Sequence, residues 1–139
     1  MKKTHAILSA VALVGSITAA PSAHAVANTA ITAGTTYYAC DGGGATSFAQ
    51  YNGPGTPNTN TANFVKTGFL VTCSANSNVA FIDASPTQFQ VGAGSTKGNQ
   101  SFRGSSNGGA VVTHTRCAGT NSACTSADAS TAATAASSM

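Results

Sequence analysis

Reaction chemistry in this chain could come from only a few residues. Beyond position 25 they are four cysteines (Cys40, Cys73, Cys117, Cys124), one histidine (His114) and three aspartates (Asp41, Asp83, Asp128). A nucleophilic triad needs a base beside its nucleophile and a third group orienting that base. His114 is the one histidine available, it sits mid-strand in Thr113-His114-Thr115, and no G-x-S-x-G elbow accompanies it. Paired-carboxylate hydrolysis would have to use Asp41, Asp83 or Asp128, because the chain has no Glu. Asp41 opens a Gly-rich loop and Asp83 follows a strand pattern, so turn chemistry is the reading for both. The cysteines lack the C-x₂-C spacing of a zinc site or of a thioredoxin-like redox motif. Gly92-Ala93-Gly94-Ser95-Thr96-Lys97-Gly98 fails the phosphate-loop pattern, since Thr96 rather than Gly precedes Lys97. It reads as a flexible hairpin loop. The expectation is therefore a non-enzyme with no cofactor and no metal.

The elements that would position these residues begin with a leader. Lys2 and Lys3 precede an apolar run from Ala6 to Ala20, and Ala23-His24-Ala25 forms an A-x-A site. This is the pattern of a cleaved signal peptide over residues 1–25. The run of about 15 residues is short of the roughly 20 that span a bilayer, and no later stretch is apolar enough. The mature chain is expected to be secreted or displayed at the cell surface after periplasmic transit, with no membrane span. In that oxidising setting four cysteines read as two disulfides. Three pairings exist, and the one joining sequence neighbours on strand ends is Cys40–Cys73 with Cys117–Cys124.

Past the leader, Lys66, Lys97, Arg103 and Arg116 stand against Asp41, Asp83 and Asp128, a balance of +1. Such a surface does not steer phosphates or anionic lipid, which excludes nucleic acid as a partner, and it leaves self-association unopposed. Only 16 Val, Ile, Leu and Phe residues follow Ala25. They suit a thin two-layer β structure and not a large enzyme core.

Period-two patterns and turn signals predict about seven short strands. They fall in Thr35–Cys40, Thr46–Tyr51, Phe64–Cys73, Asn78–Ile82, Thr87–Val91, Gln100–Arg103 and Ala110–Cys117. Phe64–Cys73 and Asn78–Ile82 read as a hairpin. In the last strand Val111, Thr113, Thr115 and Cys117 share a side. The domain plan is a leader (1–25), an extended arm (26–34), a β domain (35–117) and a tail (118–139). The fold class is all-β: a small Ig-like sandwich or partly open barrel, disulfide-linked. Of the tail's 22 residues 17 are Ala, Ser or Thr. It reads as flexible or surface-lying, the other reading being a weak helix capped by Ser126. Tyr37, Tyr38, Phe48 and Tyr51 are candidate contacts for a ligand or partner, weighed against plain core packing.

Gly68-Phe69-Leu70-Val71-Thr72-Cys73, followed by Ser77-Asn78-Val79-Ala80-Phe81, resembles part of bacterial fimbrial subunits. The likeness is to the spore-coat-U-like pilins of chaperone–usher systems. It implies an incomplete Ig-like sandwich, completed when a neighbour adds its N-terminal strand. Cys40 and Cys73 would be that family's cysteine pair, and Val26–Ala33 would be the donor, with Val26, Ala30 and Ile31 as association residues. An export or assembly chaperone would be a further partner. The function expected is an exported structural subunit of a filament, fimbria or matrix, a homo-oligomer joined through strand edges. The alternative is a secreted monomeric module that binds a glycan, surface or protein through its aromatics.

Overall fold

The computed structural model describes residues 31–42, 48–50 and 57–139. The leader expected over residues 1–25 therefore lies outside the described residues, as do Val26, Ala30 and Tyr51. Seven strands are seen among the described residues: β1 (Thr36–Asp41), β2 (Phe48–Gln50), β3 (Leu70–Thr72), β4 (Ser77–Ser85), β5 (Gln88–Ser95), β6 (Gln100–Ser105) and β7 (Val112–Arg116). A helix, α1 (Ser126–Ala135), follows. Five strands form one antiparallel sheet in the order β1-β4-β5-β6-β7, and β2 pairs with β3 in a separate ribbon. Both disulfides, Cys40–Cys73 and Cys117–Cys124, join sequence neighbours. The result is a small, mostly β, disulfide-linked fold.

Alternation along β4 divides the core in two. Phe81 faces the ribbon and packs with Ile31, Ala39, Cys40 and Cys73, flanked by Tyr37, Val65, Phe69, Val71, Val79, Phe89 and Val91. The rings of Phe81 and Phe89 stack at 5.5 Å, and Phe69 meets Phe81 edge-on at 5.9 Å. Such aromatic pairs add about 0.5–1.5 kcal/mol beyond their buried area. Ala80 and Ile82 point the other way and pack against Ala129 and Ala133 of α1.

The tail corrects the flexible reading. Ala129, Ala132, Ala133 and Ala136 are fully buried, and α1 packs on β4, β5 and β6. A third layer therefore joins the two expected. Small residues achieve this by allowing a close approach. A Cβ at Gly92 would stand 2.0 Å from the Ala129 carbonyl oxygen, and one at Gly94 would stand 2.7 Å from Cys124 Cβ. Both glycines belong to β5, so the expected flexible loop over 92–98 shrinks to the turn after Ser95. They serve helix–sheet contact rather than loop freedom. The helix cap is Thr125, one residue before the expected Ser126. Its hydroxyl accepts the Asp128 N–H at 3.3 Å, while Asp128 accepts the Thr125 N–H at 2.8 Å, a reciprocal capping box. Arg103 closes the other end, donating to the Ala135 carbonyl at 2.7 Å.

The expected hairpin between Phe64–Cys73 and Asn78–Ile82 is not formed. β4 pairs with β1 on one side and β5 on the other, which leaves its backbone no room for β3. The four residues between Cys73 and Asn78 carry the chain from ribbon to sheet instead.

Candidate functional site

The ribbon covers only part of the sheet. The ribbon-side core draws its members from β1, β4, β5 and the segments 31–40 and 65–73. Over β6 and β7 no described residue of the ribbon covers the same face. Its register runs Val79–Ala93–Phe102–Thr113 in one row and Phe81–Val91–Gly104 in the next. Phe102 is 41% exposed and Val111 72%. Two apolar grooves flank this ground. One, of about 430 Å³, is bounded by Val79, Ala93 and Phe102. The other, of about 410 Å³, is bounded by Phe64, Phe89, Val91, Gly104 and Val111. The open side belongs to the last strand of the sheet among the described residues, so apolar surface and a sheet edge meet at β7.

The candidate residues are placed as follows. Tyr37 stacks on Phe81 at 5.8 Å, and its hydroxyl accepts the Thr32 N–H at 2.9 Å. Tyr38 stands opposite Ala80, on the other face, and is 52% exposed. Successive strand residues take opposite faces, so Tyr37 and Tyr38 cannot share one aromatic platform. Phe48 lies in β2. Ile31 is buried in its own chain's aromatic core. Around it the chain turns, with Thr35 N–H donating to the Thr32 carbonyl at 3.2 Å and Gly34 N–H to the Asp83 carbonyl at 2.8 Å. Residues 31–34 thus form a docked turn and not a free extended arm.

His114 is part of an irregularity in β7. Phe102 faces Thr113 and Gln100 faces Arg116, so His114 and Thr115 together oppose Ser101. This bulge moves Thr115 to the helix side, where its hydroxyl lies 3.4 Å from that of Ser101. Thr113 and Thr115 therefore do not share a side as the alternation predicts. Thr59-Asn60-Thr61 is a local turn, since Asn58 and Asn60 accept the N–H groups of Asn60 and Ala62.

No family model, curated protein or solved structure matches the chain.

One polar cluster escaped the sequence reading. Asp83 is not a turn residue: it lies inside β4 and is fully buried. Its carboxylate accepts the Phe64 N–H at 2.6 Å, the Val65 N–H at 3.2 Å and the Asn63 amide at 3.1 Å. Asn63, also fully buried, donates to the Ile31 carbonyl at 3.1 Å. Lys66 donates to the Asn63 carbonyl. This knot staples the chain leading into the ribbon to the middle of the sheet. Sequence gave one hint, an Asp inside an otherwise apolar run, Val79-Ala80-Phe81-Ile82-Asp83-Ala84. Among the described residues, no three His, Cys, Asp or Glu side chains gather into a metal-ligating group, and no helix is long and apolar enough to cross a membrane.

Proposed function

We infer that this chain is an exported structural subunit that assembles with copies of itself into a surface filament, fimbria or matrix. The half-covered sheet face carries the reading. A contiguous apolar patch bordered by polar residues suits a protein contact. Here it holds a part-exposed ring, Phe102, that borders one groove, with a second groove at Val111. Knob and recess on one patch make it self-complementary, which favours a second copy as occupant. The charge balance past the leader is close to neutral, so copies do not repel.

The sheet's two ends add a route to open-ended growth. β1 and β7 are its edge strands and differ in sequence. Pairing β7 of one copy with β1 of the next is heterologous, and such contacts extend into filaments when they do not close into rings. Main-chain hydrogen bonds would supply the affinity, as in strand addition. The resemblance to fimbrial subunits is in keeping with this, and a chaperone covering the β6–β7 face would hold the subunit apart until export.

The test uses the protein recovered from cells that export it. Sedimentation across a concentration series should show reversible growth in mass, and sheared surface material should hold the chain in high-mass form. Phe102→Asp and Val111→Asp should leave the circular dichroism unchanged and the protein monomeric. A wild-type chain that stays monomeric at high concentration would end the reading.

A further inference from the structure

We propose that the cleft between the β5–β6 turn and the Cys117–Cys124 loop binds an acidic carbohydrate, with the sugar carboxylate on Lys97. The cleft holds about 580 Å³, walled by Thr96, Lys97 and Asn99 on one side and Thr120, Asn121 and Ala123 on the other. That size lies within the roughly 300–1,000 Å³ of small-molecule sites.

Its walls are fixed before any ligand arrives. The disulfide closes one wall into a short loop. The Cys124 N–H reaches both the Ser95 and Gly98 carbonyls at 3.2 Å, and the Cys117 N–H reaches the Asn99 carbonyl at 3.0 Å. Asn78, buried beneath, donates its amide to the Cys124 carbonyl at 2.9 Å. Within this frame two successive non-glycine residues hold left-handed backbone, Asn121 at φ 57° and Ser122 at φ 63°. Such strain persists only where the surroundings enforce it, and it concentrates at binding sites. A preset frame lowers the ordering cost of binding.

The side chains define the ligand. Those of Lys97, Asn99, Thr120 and Asn121 have no hydrogen-bond or ion-pair partner among the described residues, and no carboxylate lines the cleft. Amides and hydroxyls both donate and accept, which is the requirement for reading sugar hydroxyls. One lysine supplies one positive point charge, suited to a single carboxylate. No arginine lines the cleft, so the anion meets a point charge and not a forked contact, and inorganic phosphate is the competing anion in the test.

Titration of the full chain with an oligogalacturonate trisaccharide, followed by amide NMR shifts, tests the proposal. Saturable shifts at Lys97, Asn99 and Asn121 are expected, with at least tenfold weaker binding for the neutral galactose trisaccharide. Lys97→Met should weaken uronate binding at least tenfold. Asn121→Gly keeps the left-handed backbone without the amide, so it should weaken binding with no loss of Tm. Absence of saturation at millimolar trisaccharide, equal binding of the neutral sugar, or an unaffected Lys97→Met variant would each overturn it. So would inorganic phosphate giving the same shifts at the same concentration. Phe102 shares a groove with Asn99, but Val111 lines no part of the cleft, so the Val111→Asp variant reads assembly separately from sugar binding.

Discussion

Gly92 of β5 lies directly beneath Ala129 of α1, so close that a methyl group at position 92 would stand 2.0 Å from the Ala129 carbonyl oxygen and 2.3 Å from the Ala133 nitrogen. Backbone meets backbone there, and no side-chain rotation relieves the overlap. Overpacking a tight contact costs about 1–3 kcal/mol, occasionally more. Gly92→Ala is expected to cost about 3 kcal/mol in urea unfolding, and to make the C-terminal segment cleavable by limited proteolysis. A variant with wild-type stability and an intact C-terminus would show that the helix does not sit on the sheet in this way.

The knot around Asp83 supports a second prediction. Asp83→Ala strands three donors, those of Asn63, Phe64 and Val65. The Asn63 amide is fully buried and the Phe64 and Val65 N–H groups are half-buried. With about 1–3 kcal/mol for each fully buried unpartnered donor, a loss of about 2–3 kcal/mol is expected. Asp83→Asn should fall between wild type and Asp83→Ala, since its carbonyl oxygen still accepts. Chemical denaturation of the three proteins gives the order directly.

Acid should loosen the start of α1. Partial burial pushes the Asp128 carboxyl upward, but the Thr125 backbone N–H, the Thr125 hydroxyl and the Ala118 N–H outweigh it and hold the group below its ordinary 3.8. A carboxylate held low in the folded state stabilises at pH values above 3.8. That contribution fades as pH falls through the folded value. Stability of the wild type should therefore drop between about pH 4 and pH 2 more than that of Asp128→Asn. Parallel pH profiles would remove the capping role. At neutral pH, Thr125→Ala should cost about 1 kcal/mol, as loss of an N-cap does.

The two disulfides should differ in what they contribute. They close sequence separations of 33 and 7 residues. Loop-closure entropy assigns about 3.8 kcal/mol to the longer and about 2.5 kcal/mol to the shorter. Replacing Cys40 and Cys73 together by Ser should thus lower stability more than replacing Cys117 and Cys124. The second pair should instead perturb the cleft around Asn121, because its loop carries the left-handed residues. Tm values and amide shifts of the two double variants separate these effects.

Strands were legible where both faces of the chain have work that alternates. Val79 and Phe81 face the ribbon while Ala80 and Ile82 face the helix, and the residue types of Asn78–Ile82 announce a strand buried on both sides. Legibility failed where a residue's role depends on what lies across from it. Gly92 and Gly94 look like loop residues until a helix and a disulfide occupy the space a side chain would need. The Ala-rich tail looks unable to bury enough surface, because local sequence does not show that the sheet offers a flat glycine floor. Asp83 looks like a turn residue because its donors come from about twenty positions earlier in the chain.

Composition and periodicity by themselves determined a small, weakly charged β chain with few large apolar residues. They also determined an even set of four cysteines and an absence of paired carboxylates, since these properties are local or additive; Cys124 lies before α1 and not at a strand end. Strand partners, the seat of α1, the bulge at His114, the open face beside Phe102 and the cleft at Asn121 were decided only by the tertiary structure. Each of these is a contact between segments far apart in sequence, and the energy of such a contact depends on geometry that neither segment carries alone.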